Sequence, residues 1–102
     1  MNSKKQTFIV IFKPGSAWIE GKPLSEQRLQ EHGKYMLGLY AAGIMLFAGS
    51  FSDNSGGAAV FETEGVEEAN CIVSNDPAVI SGIFVYELHS WQLVAWDQFL
   101  KK

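Results

Sequence analysis

The run Thr7-Phe8-Ile9-Val10-Ile11-Phe12-Lys13 is β-branched or aromatic at nearly every position, and Pro14-Gly15 closes it with a turn. An unbroken apolar run of that length predicts a central strand covered on both faces. The following stretch, Ser16 to Leu24, holds Gly21, Pro23 and a lone Trp18 without periodicity and reads as a loop folded over something. Ser25 is placed to cap a helix running to about Ala42, with Leu29, Gly33, Met36 and Tyr40 as its apolar stripe and Gly43 at its C-terminal end. His32 falls on the flank of that stripe beside Leu39, with Arg28 and Tyr35 within one turn. Ile44 to Phe51 reads as a second strand, Asp53-Asn54-Ser55-Gly56-Gly57 as a turn, and Ala58 to Glu62 as a third strand, which together predict a hairpin. Val66, Ala69 and Val73, with Ile72 alongside, mark a second helix whose N-terminal acids Glu64, Glu67 and Glu68 suit the helix dipole. Asp76-Pro77 starts a short helical turn to about Ser81, and Gly82 releases Ile83 to His89 as a fourth strand. Beyond Trp91 the tail carries Leu93, Val94, Trp96, Phe99 and Leu100, apolar groups that need cover.

The order is βαββαβ, which predicts an α+β, ferredoxin-like domain: a four-stranded antiparallel sheet with both helices on one face. The other face is left bare, and the all-apolar first strand argues that it too is covered. A chain of 102 residues makes one domain, 1–102, with no room for a second. With 47% hydrophobic and only 19% charged residues, part of the surface is expected to be hidden by another copy, so a homodimer with sheets face to face is the expectation. Net charge −3 is the wrong sign for neutralising phosphates, and the third strand offers one aromatic and an acid where RNA-binding sheets need aromatics beside basic residues, so nucleic acid is not an expected partner. The longest apolar stretch, about Leu37 to Phe51, is cut by Gly38, Gly43 and Gly49 and is too short for a bilayer. Neither a membrane partner nor a signal peptide is expected, and the reading is a cytoplasmic protein.

The fold alone does not assign chemistry. Two histidines and the lone Cys71 show no close ligand spacing, so no metal site is expected. Cys71 reads as an inert edge thiol, with Glu67 and Glu68 nearby. His32 is the titratable group best suited to proton transfer near neutral pH, and its plain alternative is a hydrogen-bonded boundary histidine. Asp76 before Pro77 is the pattern of a helix cap ahead of an N1 proline, with a functional role as the alternative. His89 reads as an interface or surface residue. Trp18 in its glycine-rich loop is either a lid over a pocket or a hydrophobic plug.

Taken together, Pro14-Gly15-Ser16-Ala17-Trp18, Gln27, His32-Gly33-Lys34-Tyr35, Ala48-Gly49-Ser50-Phe51-Ser52-Asp53, Gly56-Gly57 and Asp76-Pro77-Ala78-Val79, in this order, resemble the YCII-related family over nearly the whole chain. The resemblance implies a dimeric α+β barrel, two sheets closing on a shared interior, with a pocket beside the first helix. It also implies a His and Asp active-site pair, which here falls on His32 and Asp76. One family member is a dehydrochlorinase, so the implied chemistry is proton abstraction with loss of a leaving group. An aspartate holding one ring nitrogen would fix the tautomer and leave the other nitrogen to take or give a proton. Trp18 and its loop are then expected to exclude water, and Tyr35 or Ser50 to hydrogen-bond a small-molecule substrate. No cofactor is called for. The rival reading is a non-catalytic dimer that holds a small metabolite in the same pocket.

Overall fold

The computed structural model describes residues 5–100. Its elements are β1 (Gln6–Pro14), α1 (Gln30–Ala41), β2 (Met45–Ser50), β3 (Gly57–Thr63), α2 (Val66–Ser74), α3 (Pro77–Ile80) and β4 (Phe84–Ser90), with single 3₁₀ turns at Leu24–Glu26 and Trp96–Phe99. The four strands form one antiparallel sheet in the order β2-β3-β1-β4. The first strand is therefore central, as its unbroken apolar run requires. This is the α+β ferredoxin-like architecture expected from the element order.

Period-two alternation sorts β1 between two faces. Phe8, Val10 and Phe12 point to the helix side and are buried, and Val10 and Phe12 join Met36, Ala59, Phe61, Val73, Ala78 and Phe84 in one core. On the opposite face Ile9, Ile11, Ala58 and Val60 are half-buried, and Phe47 and Val85 are exposed. The Lys13–Glu87 ion pair and His89 Nε2, 3.4 Å from Glu87, lie on that same outer face.

Two expectations about α1 are corrected. The helix begins at Gln30, not after a Ser25 cap, because Gln27 is extended and drawn inward to serve the preceding loop; Ser25 sits in the separate 3₁₀ turn. Its buried side is also rotated: Met36 is buried and His32, Tyr35 and Leu39 are half-buried, while Gly33 is exposed and Tyr40 is 60% exposed. Contact with Phe12 and Phe84 brings His32 onto the face that meets the sheet. In α2, Ala69 and Val73 are buried as expected, but Val66 at its start is exposed.

After β4 the chain leaves the body. The Trp91 amide donates to the Thr7 carbonyl at 2.9 Å, and every residue from Trp91 to Leu100 is exposed, including Trp96 and Phe99, whose rings meet each other at 5.7 Å. The radius of gyration, 15.3 Å, exceeds the roughly 13 Å of a compact domain this long, and this arm is the visible cause. Among the described residues no helix is long and apolar enough to cross a membrane.

The hairpin turn before β3 depends on Gly56. Its φ is +144°, and a Cβ there would lie 2.1 Å from the Phe12 carbonyl oxygen. Gly56→Ala is expected to lower stability by at least about 1–3 kcal/mol, read from chemical denaturation. Loss of under half a kcal/mol would show that the turn re-forms without this close approach.

Candidate functional site

Asp76 precedes Pro77 with extended backbone (φ −62°, ψ 129°), and its Oδ1 accepts the Ala78 amide at 2.9 Å. It is thus the N-cap that the Asp-Pro pattern predicts. The same carboxylate faces α1. His32 Nδ1 lies 2.9 Å from Oδ1 and 2.7 Å from Oδ2 of Asp76. Asp76 is 1% exposed, so this ionisable group is fully enclosed and its two donors, the Ala78 amide and the imidazole, replace the water it has lost.

A carboxylate on Nδ1 makes that nitrogen the donor and leaves the acceptor lone pair on Nε2. No protein group occupies Nε2, and no buried unpartnered polar side-chain atom exists among the described residues, so Nε2 opens to solvent-accessible space. The ring is held edge-on by two aromatics, Phe12 at 5.6 Å and Phe84 at 5.5 Å between centroids. Carboxylate, phenyl edges and helix backbone leave it little rotational freedom.

His32 is a wall common to two cavities. One, of about 200 Å³, is lined by Phe12, Leu29, Met36, Phe84 and Ser50 along with the Gly56-Gly57 backbone. The other, of about 570 Å³, lies toward α3 and is lined by Ala17, Ile19, Arg28, Glu31, Pro77 and Ile83. The loop that supplies Ala17 and Ile19 is tied down by Gln27. That side chain accepts from the Ile19 amide at 2.8 Å and donates to the Ile19 and Lys22 carbonyls at 3.0 Å each. Gln27 is one of the residues that carry the family resemblance, but this role is not legible in its residue type, because its partners are backbone groups.

Of the five residues proposed from sequence, His32, Asp76 and Ser50 converge on this region. Trp18 lines neither cavity. Its ring packs on Phe84 at 5.9 Å between centroids, while its neighbours Ala17 and Ile19 line the larger cavity. Tyr35 is likewise turned away, donating its hydroxyl to the Ile72 carbonyl at 2.7 Å and joining α1 to α2. Burial, followed by the nearby Asp76 and Cys71, raises the Tyr35 pKa above the usual phenol value. Cys71 is free and exposed. Among the described residues no cluster of three or more His, Cys, Asp or Glu is arranged to hold a metal.

The fold and site together define an α+β domain in which an enclosed aspartate sets a histidine at the wall of two small cavities. The YCII-related domain model matches residues 7–92, and the chain belongs to that family. Among solved structures, it is similar to 5-chloro-2-hydroxyhydroquinone dehydrochlorinase from Burkholderia phenoliruptrix AC1100, in complex with 2,5-dihydroxybenzoquinone. The identity is 20%, the TM-score 0.62, and the match covers 86% of this chain and 95% of that one, which supports the shared fold. No curated protein matches the chain in sequence.

Two predictions test the geometry. Asparagine caps a helix about as well as aspartate, so Asp76→Asn is expected to shift stability by about 1 kcal/mol or less. Its amide, however, presents an N–H to Nδ1 and drives the proton to Nε2, the tautomer inversion produced when a triad aspartate becomes asparagine. Imidazole ¹⁵N shifts at alkaline pH should show His32 changing from the Nδ1–H to the Nε2–H form while His89 stays unchanged; an unaltered His32 spectrum refutes the pairing. For Tyr35, a raised folded-state value means that its contribution is intact below about pH 10 and is lost as pH rises through the folded pKa. Tyr35→Phe should therefore cost about 0.5–1.5 kcal/mol at neutral pH for the missing hydrogen bond and flatten the alkaline fall in stability. An equally steep fall above pH 10 in the variant would exclude Tyr35 as its source.

Proposed function

We propose that this protein is a cytoplasmic, homodimeric small-molecule enzyme in which His32 is the general acid–base and Asp76 its orienting partner. The reaction class is elimination from a hydroxylated ring or enol. The observation that carries this reading is the contact of His32 Nδ1 with an enclosed carboxylate, 2.7 Å away, with Nε2 left open at the cavity wall. The relative of the same fold acts on a chlorinated polyhydroxybenzene.

The proton steps balance without an oxidant or reductant. Nε2 takes a hydroxyl proton from the ring and returns it to the carbon that bears the leaving group X, giving a keto tautomer that contains the unit HO–C=C–C–X. Removal of this second hydroxyl proton by Nε2 forms the carbonyl, moves the double bond one carbon along and expels X⁻. The net change is loss of HX. Asp76 stabilises the imidazolium formed at each proton uptake, a contribution of the kind that general acid–base groups make to rate. Ser50, beside the smaller cavity, is placed to hydrogen-bond a ring oxygen, and the phenyl edges of Phe12 and Phe84 give the ring apolar walls.

The homodimer reading rests on the half-buried Ile9, Ile11 and Val60 and the exposed Phe47 of the outer face, together with the uncovered arm from Trp91 to Leu100. A second sheet laid on the first is the way such a surface is covered in an obligate dimer. The free, exposed Cys71 fits a reducing compartment.

The test is chloride release from 5-chloro-2-hydroxyhydroquinone or a related halogenated polyphenol. The wild-type protein is expected to release chloride, and His32→Gln to lose about 10²–10⁴-fold of the rate. Sedimentation equilibrium at micromolar concentration should give twice the chain mass. Saturable binding of 2,5-dihydroxybenzoquinone with no halide released from any substrate of this class would leave the metabolite-binding reading in its place.

A further inference from the structure

We infer that the larger cavity beside His32 is an anion-recognition site, in which Arg28 takes the carboxylate of an organic acid whose apolar body lies against Ile19, Pro77 and Ile83. As a statement of substrate class, this rests on His32 being the acid–base group; as a binding site it stands by itself. Arg28 is the chain's single arginine, and it lines this cavity four residues before His32, on the same side of the entrance to α1. Three lysines of the body are engaged: Lys13 with Glu87, Lys22 with Glu26, and Lys34 with Glu31 at 3.5 Å. Arg28 forms no ion pair with any described residue. The other charged side chain of the cavity, Glu31, is the one drawn outward to Lys34. The remaining lining is apolar or small: Ala17, Ile19, Pro77, Ala78, Ser81 and Ile83.

An unpaired guanidinium at the rim of a largely apolar recess presents a planar fork of donors that matches a carboxylate. The volume, about 570 Å³, falls in the range of small-molecule sites. Gln27 fixes the Ile19 wall through three hydrogen bonds to backbone, so the recess is formed before any ligand arrives. Because His32 belongs to both cavities, an acid seated on Arg28 lies next to the imidazole. The substrate class this assigns is a hydroxylated ring or enol that carries a carboxylate as well.

Benzoate and its neutral isostere benzamide are the probes, titrated into the full-length protein and followed by ¹H–¹⁵N NMR. Benzoate should bind saturably and shift the amides of Ala17, Ile19 and Ile83 and the Arg28 side chain. Benzamide should bind at least about ten-fold more weakly, and Arg28→Gln should weaken benzoate by at least about ten-fold, the loss expected for a charged hydrogen-bonded pair. Arg28 is exposed and holds no part of the core, so an unchanged melting temperature is expected for the variant and confirms that the loss is local. Benzoate that shifts only residues of the smaller cavity, binds no better than benzamide, or binds Arg28→Gln as well as wild type overturns the inference. The two readings fail separately. Full chloride release by Arg28→Gln without benzoate binding in either protein defeats the anion site and leaves the elimination chemistry standing. Arg28-dependent benzoate binding with no halide release from any carboxylated or neutral substrate does the reverse.

Discussion

A carboxylate that is almost fully removed from water has to be met by donors, and the folded arrangement around Asp76 follows from that requirement. Its two oxygens accept the Ala78 amide and the His32 imidazole. The first bond fixes the start of α3; the second fixes the approach of α1 to α3, two elements far apart in sequence. Removing either donor would leave a buried charge short of partners, an imbalance that costs several times the net value of the bond itself. The short helix, the loop from Gly82 into β4 and the pitch of α1 over the sheet are thus tied to one side chain.

The surroundings of the pair divide cleanly by polarity. Phe12 and Phe84 stand nearly perpendicular to the imidazole, at 5.6 and 5.5 Å between ring centroids, and give it apolar neighbours from the sheet. Trp18 packs on Phe84 in turn. On the far side the ring meets open space, and there the only charged groups are Arg28 and Glu31. Such an arrangement separates a ring nitrogen held by a carboxylate from one that faces open space, the geometry on which the proposed acid–base role rests. Tyr35 contributes from outside the cavities by binding α2 to α1, so the helix carrying His32 is anchored on both α2 and α3.

The outer sheet face and the arm after β4 present a different physical situation. Their apolar groups have no cover among the described residues, while the polar groups of the face, Lys13, Glu87 and His89 along β1 and β4 and Thr7 and Glu62 facing each other across β1 and β3, are spread along it.

The sequence by itself determined the element order, the central place of β1, the hairpin at Gly56-Gly57 and the cap formed by Asp76 ahead of Pro77. Each is a local property: hydrophobic period, turn chemistry and capping act within a few residues and are written in residue type. The family resemblance added the pairing of His32 with Asp76, which no spacing could supply across 44 positions. Only the tertiary structure decided the rest. The start of α1 at Gln30 goes with Gln27 binding the backbone of Ile19 and Lys22, and packing leaves His32 half-buried and Tyr40 exposed. Trp18 and Tyr35 carry groups suited to a ligand, yet packing on Phe84 and a bond to the Ile72 carbonyl take them away from the cavities. Arg28, an ordinary surface residue in the sequence, stays exposed but comes to line a cavity with α3 and the Ala17 to Ile19 loop. Such outcomes are sums of contacts among segments remote in the chain, and no single segment encodes them.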